Sequence, residues 1–154
     1  MAPSSTMERA MSLALIAHEG QRDWNGMPFI LHPIRVGMGL LQKYGEAHAA
    51  IGFLHDAVED SEGRVTLDLI EQETSKKIRD VVEILTRTAG QKYETYLTRV
   101  SHDPWATRVK LEDLADNLSP FRLMAGTQGQ VSALKRHGKA LHWLRDQAKL
   151  YNHG

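Results

Sequence analysis

The chain has 154 residues, 42% hydrophobic and 25% charged, the balance of a globular domain long enough to bury one core. Lys+Arg and Asp+Glu both number 19, which leaves no cationic surplus for a nucleic-acid backbone or an anionic membrane. The absence of cysteine excludes disulfides and thiolate metal ligands.

The first residues, Met1 to Thr6, lack the basic stretch and apolar run of a signal peptide, and no apolar segment approaches the ~20 residues that span a bilayer. A soluble cytoplasmic protein is therefore expected. Ser5 or Thr6 caps a first helix whose face runs Met7, Met11, Ala14 and His18, with Gly20 ending it. Gln21 to Leu31, with Asn25-Gly26 and Pro28, reads as a loop. His32 precedes Pro33, which places it at a loop-to-helix junction, and the helix that follows closes at Tyr44-Gly45. A third helix, about Glu46 to Val58, is nearly continuous in small and apolar residues and reads as central.

Ser61-Glu62-Gly63 breaks the pattern. Thr66 caps a short helix through Glu73, Ser75 caps the next, Tyr93 to His102 follows Gly90, and Pro104 opens a helix through Leu118. Gly126 to Gly129 reads as a flexible loop before a C-terminal helix of about Val131 to Tyr151. With no strand-like alternation, repeat or domain boundary, the expectation is a single compact all-α domain over residues 1–154.

Three segments carry chemistry. Leu54-His55-Asp56-Ala57-Val58-Glu59-Asp60 sets ionisable side chains at the end of the most apolar helix, where unpaired charge needs a metal, a partner or water. His55 and Glu59 are four apart, as are Asp56 and Asp60. Val109-Lys110-Leu111-Glu112-Asp113 repeats the spacing with Asp113 and Asn117, and Asp116 is a rival ligand that spacing leaves open. His32 is the third element. Two imidazoles and carboxylates without a thiolate suit Mn²⁺, Fe²⁺ or Mg²⁺ better than a closed structural zinc site.

In this order, His32, then His55-Asp56, then Asp113, the set resembles the HD-domain metal phosphohydrolases. Ala17-His18-Glu19-Gly20-Gln21, Pro28-Phe29-Ile30-Leu31-His32-Pro33 and the two segments above resemble the hydrolase domain of RelA/SpoT-type enzymes, the stand-alone small alarmone hydrolases matching best in size. The resemblance runs from about residue 10 to 123.

It implies that His32, His55, Asp56 and Asp113 hold a divalent metal, manganese first, and that Asp113 rather than Asp116 is the fourth ligand. It also implies that Glu59 and Asp60 act on the attacking water and leaving oxygen, and that Asn117 lines the substrate pocket. The implied reaction removes the 3′-pyrophosphate of guanosine tetra- or pentaphosphate. The length leaves no room for the synthetase and regulatory domains of the long enzymes.

One departure bears on substrate. Where those hydrolases carry an Arg-Lys pair after Gly-Gln, this chain has Asp23-Trp24, with Arg22 a step earlier. That favours, as the alternative, hydrolysis of another nucleotide, an adenosine-type alarmone or a nucleoside monophosphate. Trp24 is expected to be a partly buried loop anchor. Tyr93, Tyr96 and Arg99 share a face and match a stretch flanking the family's pocket. Lys135 and Arg136 are read as phosphate contacts or a solvated face, His18 as a buried hydrogen-bonding residue, and His48, His102, His137, His142 and His153 as surface. The partner is a small nucleotide, with no nucleic-acid polymer or membrane, and the oligomeric state is not legible.

Overall fold

The structure, a computed structural model, describes residues 1–122 and 128–152. Among these, the helices are α1 Thr6–Ala17, α2 Leu31–Tyr44, α3 Glu46–Leu54, α4 Ala57–Asp60, α5 Leu67–Glu73, α6 Lys76–Leu85, α7 Tyr93–Ser101, α8 Pro104–Asn117 and α9 Gln128–Leu150. The expected all-α class holds; the described extended pairing is one isolated bridge between Arg22 and Pro28. No helix of the described residues is long and apolar enough to cross a membrane.

Side-chain caps explain most of the starts. Ser5 caps α1 and Glu8 returns a hydrogen bond to the Ser5 N–H, so two otherwise unpaired donors are satisfied together. Thr66, Ser75 and Asp103 do the same single-handedly for α5, α6 and α8, the last with Pro104 in its first turn.

The α3 helix is the hub. Every residue from His48 to Leu54 is buried, and α3 packs against α1, α2, α6 and α8. Its approach to α2 is unusually close. A Cβ on Gly52 would lie 2.8 Å from the Gly37 Cα and 2.7 Å from Leu40, and one on Gly37 would run into the Phe53 ring. Gly45, at φ 91°, turns the chain between the two helices in one residue, a conformation L side chains rarely adopt.

Four expectations need correction. The helix predicted over residues 46–58 is two: it breaks at His55-Asp56 and resumes as α4. The helix expected to follow His32 begins one residue earlier, at Leu31, so His32 lies in its first turn, where Pro33 is tolerated because its missing N–H would have no intrahelical partner. Gln128 and Gly129 belong to α9, while Gly126 and Thr127 lie outside the described residues, as does His153.

Finally, His48 is not on the surface: it is 4% exposed, stacked on Trp105 at 4.0 Å and flanked by Tyr44 at 4.9 Å. Two cations close this stack, Lys77 over Trp105 and Arg108 over Tyr44.

Two outcomes are expected. Gly52→Ala, facing backbone, should lose about 1–3 kcal/mol in urea unfolding, whereas Gly39→Ala, facing only the end of the Glu112 side chain, should lose less. His48 has its pKa pushed down to about 4, first by burial and then by Arg108 and Lys77. Its neutral form therefore contributes stability above the unfolded value near 6.5 that is lost as pH falls towards 4. The urea midpoint should drop over that window, and less so in His48→Phe, which keeps a stacking ring without a titrating group.

Candidate metal centre

Two imidazoles enter from different helices with their tautomers already fixed. His32 Nδ1 donates to Asp116 Oδ2 at 2.6 Å, and Asp116 is itself held by Arg35 at 2.7 and 3.1 Å. His55 Nδ1 donates to the Gly52 carbonyl at 2.7 Å, a bond available because the helix breaks there. Each ring thus turns its Nε2, the atom a metal takes, toward the site. His32 is 2% exposed and His55 3%.

Both Nε2 atoms face the same two carboxylates. His32 Nε2 lies 3.0 Å from Asp113 Oδ1 and 3.7 Å from Asp56 Oδ2; His55 Nε2 lies 3.5 and 3.1 Å from the same atoms. His55 Nε2 is nonetheless buried without a well-formed hydrogen bond. Atoms of His32, His55 and Asp56 converge closely enough to hold one ion, with Asp113 Oδ1 against the same two nitrogens. A buried nitrogen without a hydrogen-bond partner beside two carboxylates fits a divalent cation.

Burial opposes charge here, and the neighbours overrule it. The Lys110 ammonium and His55 hold the Asp113 carboxyl well below the usual carboxylate range despite its burial. His55 lowers Asp56 to about 2 against the same penalty. In return, the Asp56 and Asp113 carboxylates raise His55 well above the ordinary histidine value, overcoming desolvation.

The other expected residues fall as follows. Asp60 has its carboxyl pushed up to about 7 by desolvation and by the Asp56 and Glu59 carboxylates. Glu59 Oε2 accepts the Arg87 backbone N–H at 3.1 Å. Asn117 Nδ2 donates to Asp113 Oδ1 at 2.8 Å, so its amide is engaged with that carboxylate. Asp116 sits 9% exposed on the far side of the His32 ring, on Nδ1.

His18 is buried as expected, donating from Nδ1 to Gln21, whose amide reaches the Asp60 carbonyl at 2.7 Å. Tyr96 and Arg99 bond the carbonyls that end α6. Lys135 and Arg136 are exposed and line a groove of about 650 Å³ with Tyr93 and Trp143, and none of the four clustered residues is among its lining.

Sequence reasoning missed two residues and misplaced two. Lys110, buried and 2.6 Å from Asp113 Oδ2, passed as part of a motif. Arg35 was signalled only by its place three residues after His32. His137 is half-buried with an unpartnered Nδ1, not a surface residue. Trp24 is 62% exposed and anchors nothing; Asp23 closes that loop instead, accepting from the Asn25 and Met27 N–H groups.

If the four residues bind a metal, loading must expel the proton that the carboxylates favour on His55. Calorimetry of Mn²⁺ binding at pH 7 in buffers of different ionisation enthalpy should show release of about one proton, with affinity rising as pH rises. A buffer-independent enthalpy would contradict this.

No family model matches the chain. It is 39% identical over 88 residues to a protein of Synechocystis named probable guanosine-3′,5′-bis(diphosphate) 3′-pyrophosphohydrolase, covering 56% of this chain and 11% of that protein. It is 30% identical over 122 residues to the guanosine-3′,5′-bis(diphosphate) 3′-pyrophosphohydrolase of Aquifex aeolicus, covering 73% and 17%. Other relatives bear the name GTP pyrophosphokinase. The match thus spans less than a fifth of each curated relative's length.

Among solved structures, a metazoan ortholog of SpoT that hydrolyzes ppGpp superposes with TM-score 0.74 at 21% identity, over 92% of this chain and 85% of that one. The chain thus shares the all-helical fold of that SpoT ortholog and is similar in sequence, over part of their length, to guanosine-3′,5′-bis(diphosphate) 3′-pyrophosphohydrolases.

Proposed function

We propose that this domain removes the 3′-pyrophosphate of guanosine tetra- or pentaphosphate, using a divalent ion, manganese first, held by His32, His55, Asp56 and Asp113. The observation that carries the reading is the convergence of two Nε2 atoms and two carboxylates, beside an Asp60 carboxyl of raised pKa. Relatives bear the names of both the hydrolase and the opposite, pyrophosphokinase reaction, so the names alone do not assign the chemistry. Two imidazoles and two carboxylates facing one another, a donor set suited to a divalent ion, support the hydrolytic reading.

When bound, the ion supplies Lewis acidity and a water of lowered pKa. A donor set of two nitrogens and two oxygens without sulfur favours Mn²⁺, with Fe²⁺ or Mg²⁺ as variants. Asp60, titrating near 7, is suited to take a proton from the attacking water or give one to the leaving oxygen at neutral pH. Glu59, its carboxylate tied to the backbone of Arg87, fits an orienting role. Asn117 acts through Asp113 rather than on substrate alone. The domain works as one unit over residues 1–154 on a small nucleotide, not on a nucleic-acid polymer or a membrane, and its lack of cysteine suits the reducing cytoplasm.

One observation favours a second substrate. The loop at Asp23-Trp24 lacks the basic pair: Asp23 accepts from its own turn and faces the Arg122 guanidinium at 4.0 Å, and the Arg22 guanidinium reaches back to the Gly26 carbonyl at 3.4 Å. An adenosine-type alarmone or a nucleoside monophosphate is the alternative.

Purified protein with Mn²⁺ and a nucleotide panel separates these. Pyrophosphate from guanosine tetraphosphate is expected, falling by more than the ~10–100-fold typical of losing a ligand's outer partner in Asp113→Ala. Orthophosphate from monophosphates would favour the alternative, and binding without turnover would refute an enzyme.

A further inference from the structure

The Asp113 carboxylate has two oxygens with opposite duties. Oδ1 faces His32 and His55 and also accepts from Asn117; Oδ2 is taken by Lys110 Nζ at 2.6 Å. Lys110 and Asp113 are three apart on α8, so the pair closes within one turn. The Lys110 side chain is 13% exposed, and its ammonium lies 5.4 Å from the centre of the Tyr96 ring. Tyr96 is fixed in turn by its hydroxyl on the Leu85 carbonyl at 2.9 Å. A buried ammonium with one carboxylate partner and an aromatic face behind it has little freedom to move.

We propose that Lys110 is a positioning residue: by occupying Oδ2 it holds the carboxylate rotated so that Oδ1 alone is offered to the metal centre. This rests on reading His32, His55, Asp56 and Asp113 as metal ligands, and extends it to a residue that reading does not include. The competing role is plain neutralisation, in which any buried cation near Asp113 would serve.

Two substitutions separate position from charge. Lys110→Arg keeps the charge but carries a longer, planar head that cannot seat on Oδ2 beneath Tyr96 without turning the carboxylate. Lys110→Met removes the contact. Competition titration of Mn²⁺ into metal-free protein reads the result, alongside urea unfolding. Both variants should bind Mn²⁺ about 10–100-fold more weakly, with Lys110→Arg retaining most of the folding stability, so it decides the matter even if Lys110→Met does not fold. In steady-state assays at saturating Mn²⁺, kcat should fall while KM for the nucleotide stays within about threefold, since Lys110 is argued to act through Asp113.

In an Asp113→Asn background, Lys110→Arg should weaken Mn²⁺ binding by less than about threefold further, because the group it positions is already altered. Lys110→Arg with wild-type Mn²⁺ affinity would overturn the proposal alone. Wild-type protein that binds no divalent ion would overturn the metal reading and this proposal together.

Discussion

The close passage of α2 over α3 at Gly37 and Gly52 is the constraint on which the rest depends. His32 stands one turn before Gly37's level on α2, and His55 follows directly from the C-terminal end of α3. With backbone nearly touching backbone, the two imidazoles come within 5.2 Å of each other, ring centre to ring centre. Any side chain in that gap would push the helices apart and carry the rings with them. The Gly52 residue serves twice, since its carbonyl also accepts the His55 Nδ1 proton.

Around that seam the charges are arranged in layers. Two carboxylates face the imidazole nitrogens; behind one stands the Lys110 ammonium, and behind the His32 ring stand Asp116 and Arg35. Each buried charge has a partner of opposite sign, the condition under which burial is tolerated. The inner two acids face the Nε2 atoms of both rings, whose Nδ1 atoms are held elsewhere. The cluster is therefore a set of converging charges of both signs, a different arrangement from the closed stack of His48 between Tyr44 and Trp105.

Much of this was legible in the sequence because it is local. Caps such as Ser5, Thr66 and Ser75 announce helix starts within three residues, and the apolar run before His55 announces the central helix. What was not legible depends on distance along the chain. Spacing left Asp113 and Asp116 as rivals; the fold separates them by setting one on the His32 Nε2 side and the other on Nδ1. His48 looked like surface because the aromatic that covers it, Trp105, sits far along the chain on α8. The break at His55-Asp56 was hidden by continuous apolar patterning, since a carbonyl diverted to a side chain leaves no mark on hydrophobic period.

The bond from His32 to Asp116 spans 84 residues. Contacts of such separation cost loop-closure entropy before they return anything. A chain emerging from the ribosome carries the two imidazoles and Asp56 long before it carries Asp113, Asp116 or Lys110. The full arrangement, with Asp113 against both rings and Asp116 behind one, is thus a product of the nearly complete chain.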